Sequence, residues 1–230
     1  MAKYFIQEGQ PTITGETAHH LANVLRMKIG EKILLCNGAS TDYLAVIDSI
    51  NKHEVAFSIL DSYPSNTEPP VFITLYQGLP KSDKLETIVQ KSVELGVSKI
   101  VPVMTSRSIP KIKDSIKKTA RLQKIAQSAA EQSNRGIIPV VCDAISFSSA
   151  DKTKNVIVAY ENENQRSFKS AITPGTKNLD IWIGPEGGFT QEEIATLVAQ
   201  GGTTVSLGPR ILRTETAAIA SIAQAIYALE

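Results

Sequence analysis

Two kinds of apolar periodicity divide the chain. In the first 62 residues, EKILLCNG, TDYLAVIDSI and HEVAFSIL are short runs bounded by turn residues, with Val55, Phe57 and Ile59 on one side of the last. Period two with such punctuation predicts the strands of a small β-barrel or sheet. One helical pattern interrupts them: Leu21, Val24 and Leu25 share a face, Thr17 is placed to cap the start and Gly30 to end it. The stretch YPSNTEPP (Tyr63 to Pro70) combines three prolines with small polar residues and reads as a linker. It separates a first domain, residues 1–68, from a second, residues 71–230.

In the second domain strand-like apolar runs alternate with helical patterns. VFITLYQGL is followed by a helix to Gly96, KIVPVMT by a long helix to about Asn134, then come IIPVV, VIVAY and LDIWI, a helix to about Gln200, TTVSLG and a C-terminal helix. Alternation of this kind predicts an α/β domain whose mostly parallel sheet is buried on both faces. In the first helix Asp83 and Glu86 fit an acidic capping box, with Leu85, Ile88, Val89, Ser92 and Leu95 as the packed stripe; Ala218, Ile219, Ile222, Ala223 and Ile226 form the stripe of the last.

Composition changes this picture little. Hydrophobic content of 42% and charged content of 20% are those of a folded globular chain. No apolar run approaches the ~20 residues that cross a bilayer, and MAKYFIQEGQ lacks a secretory apolar core, so a cytoplasmic protein with no membrane contact is expected. Cys36 and Cys142 are far apart and read as buried thiols. His19 and His20 point about 100° apart on a helix and no further ligand keeps the spacing, so no metal is expected.

Charge distribution matters more than the formal +1. Between Arg107 and Lys124 seven basic residues (Arg107, Lys111, Lys113, Lys117, Lys118, Arg121, Lys124) face Asp114 alone, which makes that segment a candidate polyanion contact. Residues 1–70 hold five basic and eight acidic residues, so the bulk of any phosphate attraction is expected from the second domain.

The candidate chemistry lies in two glycine-bearing loops. LDIWI stops at Gly184-Pro185-Glu186-Gly187-Gly188, where bare glycine backbone lets a ligand approach, and Thr190 with Glu193 forms a capping box for the next helix. The next strand, TTVSLG, runs into LGPRILRTETA (Leu207 to Ala217), where Arg210, Arg213, Thr214 and Glu215 crowd before the final helix. Such loops lie at the carboxyl ends of strands, where α/β sheets bind ligands, and if the two strands are neighbours the loops wall one pocket. The chain has neither G-x-x-x-x-G-K-[ST] nor G-x-G-x-x-G after the first strand, and Glu186 is an awkward neighbour for a polyphosphate. A neutral or cationic ligand seated on backbone, such as S-adenosylmethionine, fits better.

Six motifs in order, HHLANVLRMKIGE, QGLPKSDKLETIVQKSVELGV, IVPVMTSRSI, AAEQSNR, WIGPEGGFTQEE and LGPRILRTETA, are spread along essentially the whole length of the chain. Together they closely resemble the bacterial 16S ribosomal RNA uracil-N3 methyltransferase family, the RsmE type of the SPOUT methyltransferase class. This chain has AAEQSNR where the family most often has AAEQSGR. The resemblance implies a SPOUT-type trefoil-knotted α/β domain with a smaller N-terminal PUA-like β-barrel domain for RNA binding, and a homodimer with the active site near its interface. It implies methyl transfer from S-adenosylmethionine to N3 of a uridine in 16S ribosomal RNA, in the small (30S) subunit. A methyltransferase of the same class acting on another RNA, and a non-catalytic RNA-binding assembly factor, are the alternatives.

For that reaction N3 must lose its proton, so a cation or a base is needed. Arg213 is the first candidate for the cation and Arg210 the next; Glu215 and Glu131 are candidate bases or orienting groups. Backbone contacts to the cofactor are expected from Gly184, Glu186, Gly187, Gly188, Leu207, Gly208, Ile211 and Leu212, with Leu79 and Ile183 as apolar wall. RNA contacts are expected from Arg26, Lys28, Lys111, Lys117, Lys118, Arg121 and Arg135.

Overall fold

The computed structural model describes residues 3–7, 9, 11–81, 83–109, 115–150 and 155–230. Contacts divide the chain into two units, Met1–Glu68 with Ala130–Ile138 and Pro69–Ala129 with Pro139–Glu230. The segment 130–138 thus returns to the first unit from within the second stretch of sequence.

The first unit contains β1 (Lys3–Phe5), β2 (Thr12–Thr14), α1 (Gly15–His19), β3 (Lys32–Cys36), β4 (Thr41–Ile50) and β5 (Glu54–Pro64). They form one sheet in the order β1-β3-β4-β5-β2, with two register shifts between β4 and β5 that bend it. Inward positions of the alternating runs, Ile33, Leu35, Ala45, Ile47, Val55 and Phe57, close the core with Ala18 and Leu21. The helix differs from expectation. It starts at Gly15, with Thr14 rather than Thr17 at the N-cap, and passes into a π-helical stretch, His20–Val24. The wider turn rotates the side chains after it, so Leu21 is buried while Val24 and Leu25 are 61% and 48% exposed. The helical path ends at Arg26, whose φ is 53°, well before Gly30.

Polar groups fix the returning segment within this unit. Glu68 accepts from Arg135 Nε at 3.3 Å and from Arg135 Nη2, and also from the N–H groups of Gly136 at 2.8 Å and Ile137 at 3.3 Å. Cys36 Sγ lies 3.2 Å from the Gly136 carbonyl, and burial above all pushes this thiol up to about 11, as suits an inert structural cysteine. Asn134 adopts φ 58°, a left-handed conformation that asparagine tolerates better than most residues.

The second unit is built from β6 (Phe72–Gly78), α2 (Lys84–Glu94), β7 (Lys99–Met104), α3 (Ser115–Gln132, its last residues counted with the first unit), β8 (Val140–Val141), β9 (Ile145–Ser146), β10 (Val156–Ala159), α4 (Phe168–Ala171), β11 (Asn178–Ile183), α5 (Gln191–Ala199), β12 (Thr203–Val205) and α6 (Thr214–Leu229). The sheet runs β12-β10-β11-β6-β7-β8, β9 also pairs with β7, and every described pairing is parallel. Alternation along the central strands sends Tyr76 and Trp182, register partners, into one layer, where their rings stack at 4.5 Å with Phe147 edge-on to the indole. Such a cluster makes β6 and β11 a rigid platform for the loops at their ends.

The capping box at Thr190 and Glu193 forms as expected. The one expected at Asp83 does not: Asp83 makes no side-chain cap, and Glu86 instead pairs with Arg121 at 2.9 Å. In α2, Val93 rather than Leu95 completes the fully buried face, and in α6 Ser221 and Ala225 are buried while Ala223 is exposed.

Candidate functional site

A cavity of about 470 Å³ opens at the carboxyl ends of β10, β11 and β12. The loop after β11 (184–188) and the loop after β12 (206–213) line it, as the sequence pattern predicts. The two strands are not neighbours, however, because β10 lies between them. The end of β10 therefore supplies part of the lining, Ala159, Tyr160 and Glu161. That contribution escaped sequence reasoning because VIVAYENEN carries no glycine or proline punctuation.

The glycine loop is shaped by what surrounds it. A Cβ at Gly78, the last residue of β6, would stand 2.5 Å from Pro185 Cδ and 2.7 Å from Pro185 N, so the bare Cα there lets the loop lie against the strand end. Gly188 has φ 67° and closes a turn by donating to the Pro185 carbonyl at 2.9 Å. The Gly184 carbonyl accepts from Thr214 Oγ1 at 2.6 Å, and that hydroxyl accepts from buried Gln77 Nε2 at 2.9 Å, so three chain segments meet around one hydroxyl. On the outer side Arg107 Nη1 donates to the Gly187 carbonyl at 2.7 Å, and Glu193 Oε1 accepts from Ser106 N at 2.7 Å.

Gly187 is bare for a reason other than ligand approach. A Cβ on it would meet the Arg107 side chain at 3.2 Å, so the missing side chain there makes room for arginine. Gly78→Ala must displace Pro185 backbone, whereas Gly187→Ala presses only on a flexible stem. Overpacking of backbone costs about 1–3 kcal/mol. Gly78→Ala is therefore expected to lower the melting temperature by a few degrees and to disrupt binding at the cavity, with Gly187→Ala near wild type in both; equal behaviour of the two in melting and ligand titration would contradict this reading.

Charged groups complete the lining. Lys84 Nζ lies 3.0 Å from Glu186 Oε1 and 3.5 Å from Glu215 Oε2, and the Lys81 N–H donates to Glu186 at 3.1 Å. Burial pushes the Glu186 carboxyl up, but its own backbone N–H, Lys84 and the Lys81 N–H together hold it below the ordinary carboxylate value. Contact with Glu186 first, and with Glu215, lifts the Lys84 ammonium above the ordinary lysine value although burial opposes it. Arg210 and Arg213 reach the cavity from the loop before α6, where Arg213 is the N-cap residue; among the described residues neither is ion-paired.

Glu163 holds the loop after β10. It accepts from the N–H of Gln165 at 2.8 Å and of Arg166 at 3.1 Å and from Thr204 Oγ1 at 2.8 Å. These bonds, the Gln165 N–H first, lower its pKa from 4.5 to about 2. A carboxyl depressed in the folded state stabilises above its unfolded pKa and loses that contribution as pH falls through the folded one. Melting of the wild type is thus expected to fall more steeply than that of Glu163→Gln between about pH 4.5 and about pH 2, and parallel curves would count against this anchor.

Most of the residues expected at the cofactor meet in this cavity. Ile183, Gly184, Glu186, Gly187, Gly188, Leu207, Gly208, Ile211 and Leu212 all line it; buried Leu79 does not, and borders a separate, far smaller space beside Leu85 and Leu122. Glu215 does not line the cavity but pairs with Lys84 beside it. Glu131 lies in the first unit, where its charge adds to the burial that raises the Tyr4 phenol. Arg26 and Lys28 are exposed in the first unit, Lys117 and Arg121 are exposed on α3 with Lys118 half-buried, and Lys111 falls outside the described residues. Arg135 is a correction: expected at an RNA surface, it is 3% exposed and bound to Glu68. Among the described residues no group of three or more His, Cys, Asp or Glu side chains could hold a metal, and no helix is long and apolar enough to cross a membrane. Sequence reasoning also passed over Gly78, Gln77, Lys84 and Glu161.

Comparison with known proteins accords with this geometry. A family model described as an RNA methyltransferase domain matches residues 67–226, and one described as an RNA methyltransferase PUA domain matches residues 13–60. The ribosomal RNA small subunit methyltransferase E of Bacillus subtilis (strain 168) is 38% identical, over 100% of this chain and 98% of its own length. Its Rickettsia conorii namesake is 34% identical over 90% of this chain and 84% of its own length. Among solved structures, a ribosomal RNA small subunit methyltransferase E from Neisseria gonorrhoeae bound to S-adenosyl methionine is similar with a TM-score of 0.90 and 32% identity, covering 100% of this chain and 98% of that one.

Proposed function

Because this chain belongs to the ribosomal RNA small subunit methyltransferase E family, within the SPOUT class, we propose that it transfers a methyl group from S-adenosylmethionine to N3 of a uridine in 16S ribosomal RNA. The observation that carries this reading is the cavity: two glycine-bearing loops, Glu161 and Glu186 on the lining, and two arginines at the loop preceding α6.

The lining fits S-adenosylmethionine. Carboxylates suit a ligand whose sulfonium is positive, and the backbone of Gly184, Gly187 and Gly188 lines the cavity, with Gly188 kept bare by the Glu161 carboxylate beside it. Backbone groups of those glycines and of Leu207, Gly208, Ile211 and Leu212 would hold it, with Ile183 as apolar wall. When bound it supplies an electrophilic methyl carbon. The chain's own task is to seat the uracil ring with N3 in line, about 3 to 3.5 Å from that carbon, and to favour loss of the N3 proton. Arg213, with Arg210 beside it in sequence, stabilises the negative charge that develops on the flanking uracil oxygens as the proton leaves.

RNA reaches the site through cations on α3, exposed Lys117 and Arg121 and half-buried Lys118, with Arg26 and Lys28 as placed contacts from the first unit. The proposed working form is a cytoplasmic homodimer, the dimer being what the resemblance of the six motifs implies. Removing one lysine or arginine from a phosphate is expected to flatten the dependence of log binding constant on log salt by about 0.7 to 0.9. Neutralising Lys117, Lys118 and Arg121 together should therefore reduce that slope by about two to three; a slope unchanged in salt titrations would move the RNA surface elsewhere.

The deciding experiment is transfer of label from S-adenosylmethionine to small ribosomal subunits lacking the modification, with naked 16S RNA and transfer RNA alongside, followed by mapping of the base. Label at N3 of one uridine in small-subunit RNA is expected. Label confined to transfer RNA, or none despite cofactor binding, would reject the proposal.

A further inference from the structure

Lys84 sits where three segments around the cavity converge. It belongs to the first turn of α2, and its ammonium contacts Glu186 in the loop after β11 and Glu215 in the first turn of α6. Glu215 stands two residues beyond Arg213, and the Lys81 N–H holds Glu186 from the same side as Lys84. The three side chains are 30%, 28% and 20% exposed, shielded enough to keep their geometry yet too wet for the pairs to dominate folding. Their position is the telling feature: one cation joins the loop after β11 to the first turn of α6, beside the cavity.

We propose that Lys84 is a positioning residue, an ionic clip that fixes the Gly184–Gly188 loop relative to the helix start carrying Arg213. The inference rests on the function proposed above and names a residue that acts through others. Methyl transfer needs its partners aligned to a fraction of an ångström, and both walls here are loops with left-handed glycines, Gly188 at φ 67° and Gly208 at φ 112°, that do not set their own spacing. The Thr214 hydroxyl already ties Gly184 to α6 at the loop's base. Lys84 ties the far side of the same loop, at Glu186, to the next residue of that helix. With both ties in place the loop cannot swing away from α6 without breaking one of them.

The test compares Lys84→Met and Lys84→Arg with wild type in three measurements: calorimetric titration with S-adenosylhomocysteine, turnover on small subunits lacking the modification, and melting temperature. S-adenosylhomocysteine lacks the sulfonium charge, so its affinity reads the seating of the loop without the attraction that an unpaired Glu186 would add. For Lys84→Met the expected results are binding weaker by about three- to tenfold, a fall in kcat at least as large, an RNA KM within about twofold and little change in melting. Lys84→Arg, which can reach both carboxylates, should recover most of the loss. Wild-type affinity and turnover in Lys84→Met would overturn the proposal, as would losses that track a large drop in melting temperature and are not recovered by arginine. If the wild type binds S-adenosylhomocysteine but methylates no RNA, the functional reading fails, and the calorimetric difference between wild type and Lys84→Met still decides the clip.

Discussion

Glu68→Ala is expected to destabilise the first unit by about 3–5 kcal/mol, a large share of the ~5–15 kcal/mol that holds a typical domain folded. The carboxylate serves three consecutive residues: the Arg135 guanidinium and the N–H groups of Gly136 and Ile137. Arg135 is 3% exposed, so removing its anion leaves a guanidinium charge away from water without that counter-charge. The damage reaches further than one pair. The Gly136 carbonyl accepts from Ser40 N at 3.0 Å and faces Cys36 Sγ, so the turn joining β3 to β4 loses its packing against the returning segment. Thermal and denaturant unfolding would check this, and the double variant Glu68→Leu with Arg135→Met sharpens it. An apolar pair of similar bulk should recover part of the stability, because it removes the burial of charge along with the attraction. A Glu68→Ala protein within about 1 kcal/mol of wild type would show that the pair is dispensable.

What the sequence made legible follows from the range of the interactions involved. The alternation of β6 to α6, the Thr190–Glu193 capping box and the two glycine loops are local patterns, written within ten or twenty residues, and they were readable. Sheet order is not local. That β10 lies between β11 and β12 is decided by how all the strands bury their faces, and with it came the unexpected Tyr160 and Glu161. Arg135 failed for a similar reason: a basic residue after a helix looks like a surface contact until its partner, 67 residues earlier, is known. Val24 and Leu25 fit the apolar stripe of an ordinary helix, but one π-helical stretch rotated them outward, and no residue type in HLANV announces that turn. Gly187 lines the cavity as expected while its missing side chain answers to Arg107; a glycine in sequence says that space is needed, not by whom.

Arg213→Ala is expected to lower kcat by about 10²–10³, with S-adenosylmethionine affinity changed by no more than a few-fold. Position is the first reason. Arg213 is the N-cap residue of α6, extended at φ −67° and ψ 154°, so its backbone is set by the helix start while its side chain is left to the cavity. Its carbonyl accepts from Ala217 N at 2.8 Å, which holds that backbone in place whatever the side chain is. Truncation to alanine therefore removes the guanidinium and leaves the scaffold, and the helix keeps its start, since no side-chain cap is made here. Uracil N3 lies between two carbonyls and attacks only as its proton leaves, and the negative charge that then spreads over those oxygens is present in the transition state far more than in the ground state. A cation aimed there lowers the barrier without tightening cofactor binding, which is why the effect should fall on kcat. Arg213→Lys separates charge from shape: an ammonium keeps the charge but cannot bridge two acceptors, so partial recovery is expected. Arg210→Ala, whose side chain lines the same cavity, should cost less. If Arg213→Ala turns over at the wild-type rate, the cation that serves the uracil oxygens is another residue, and Arg210 would be the next to test.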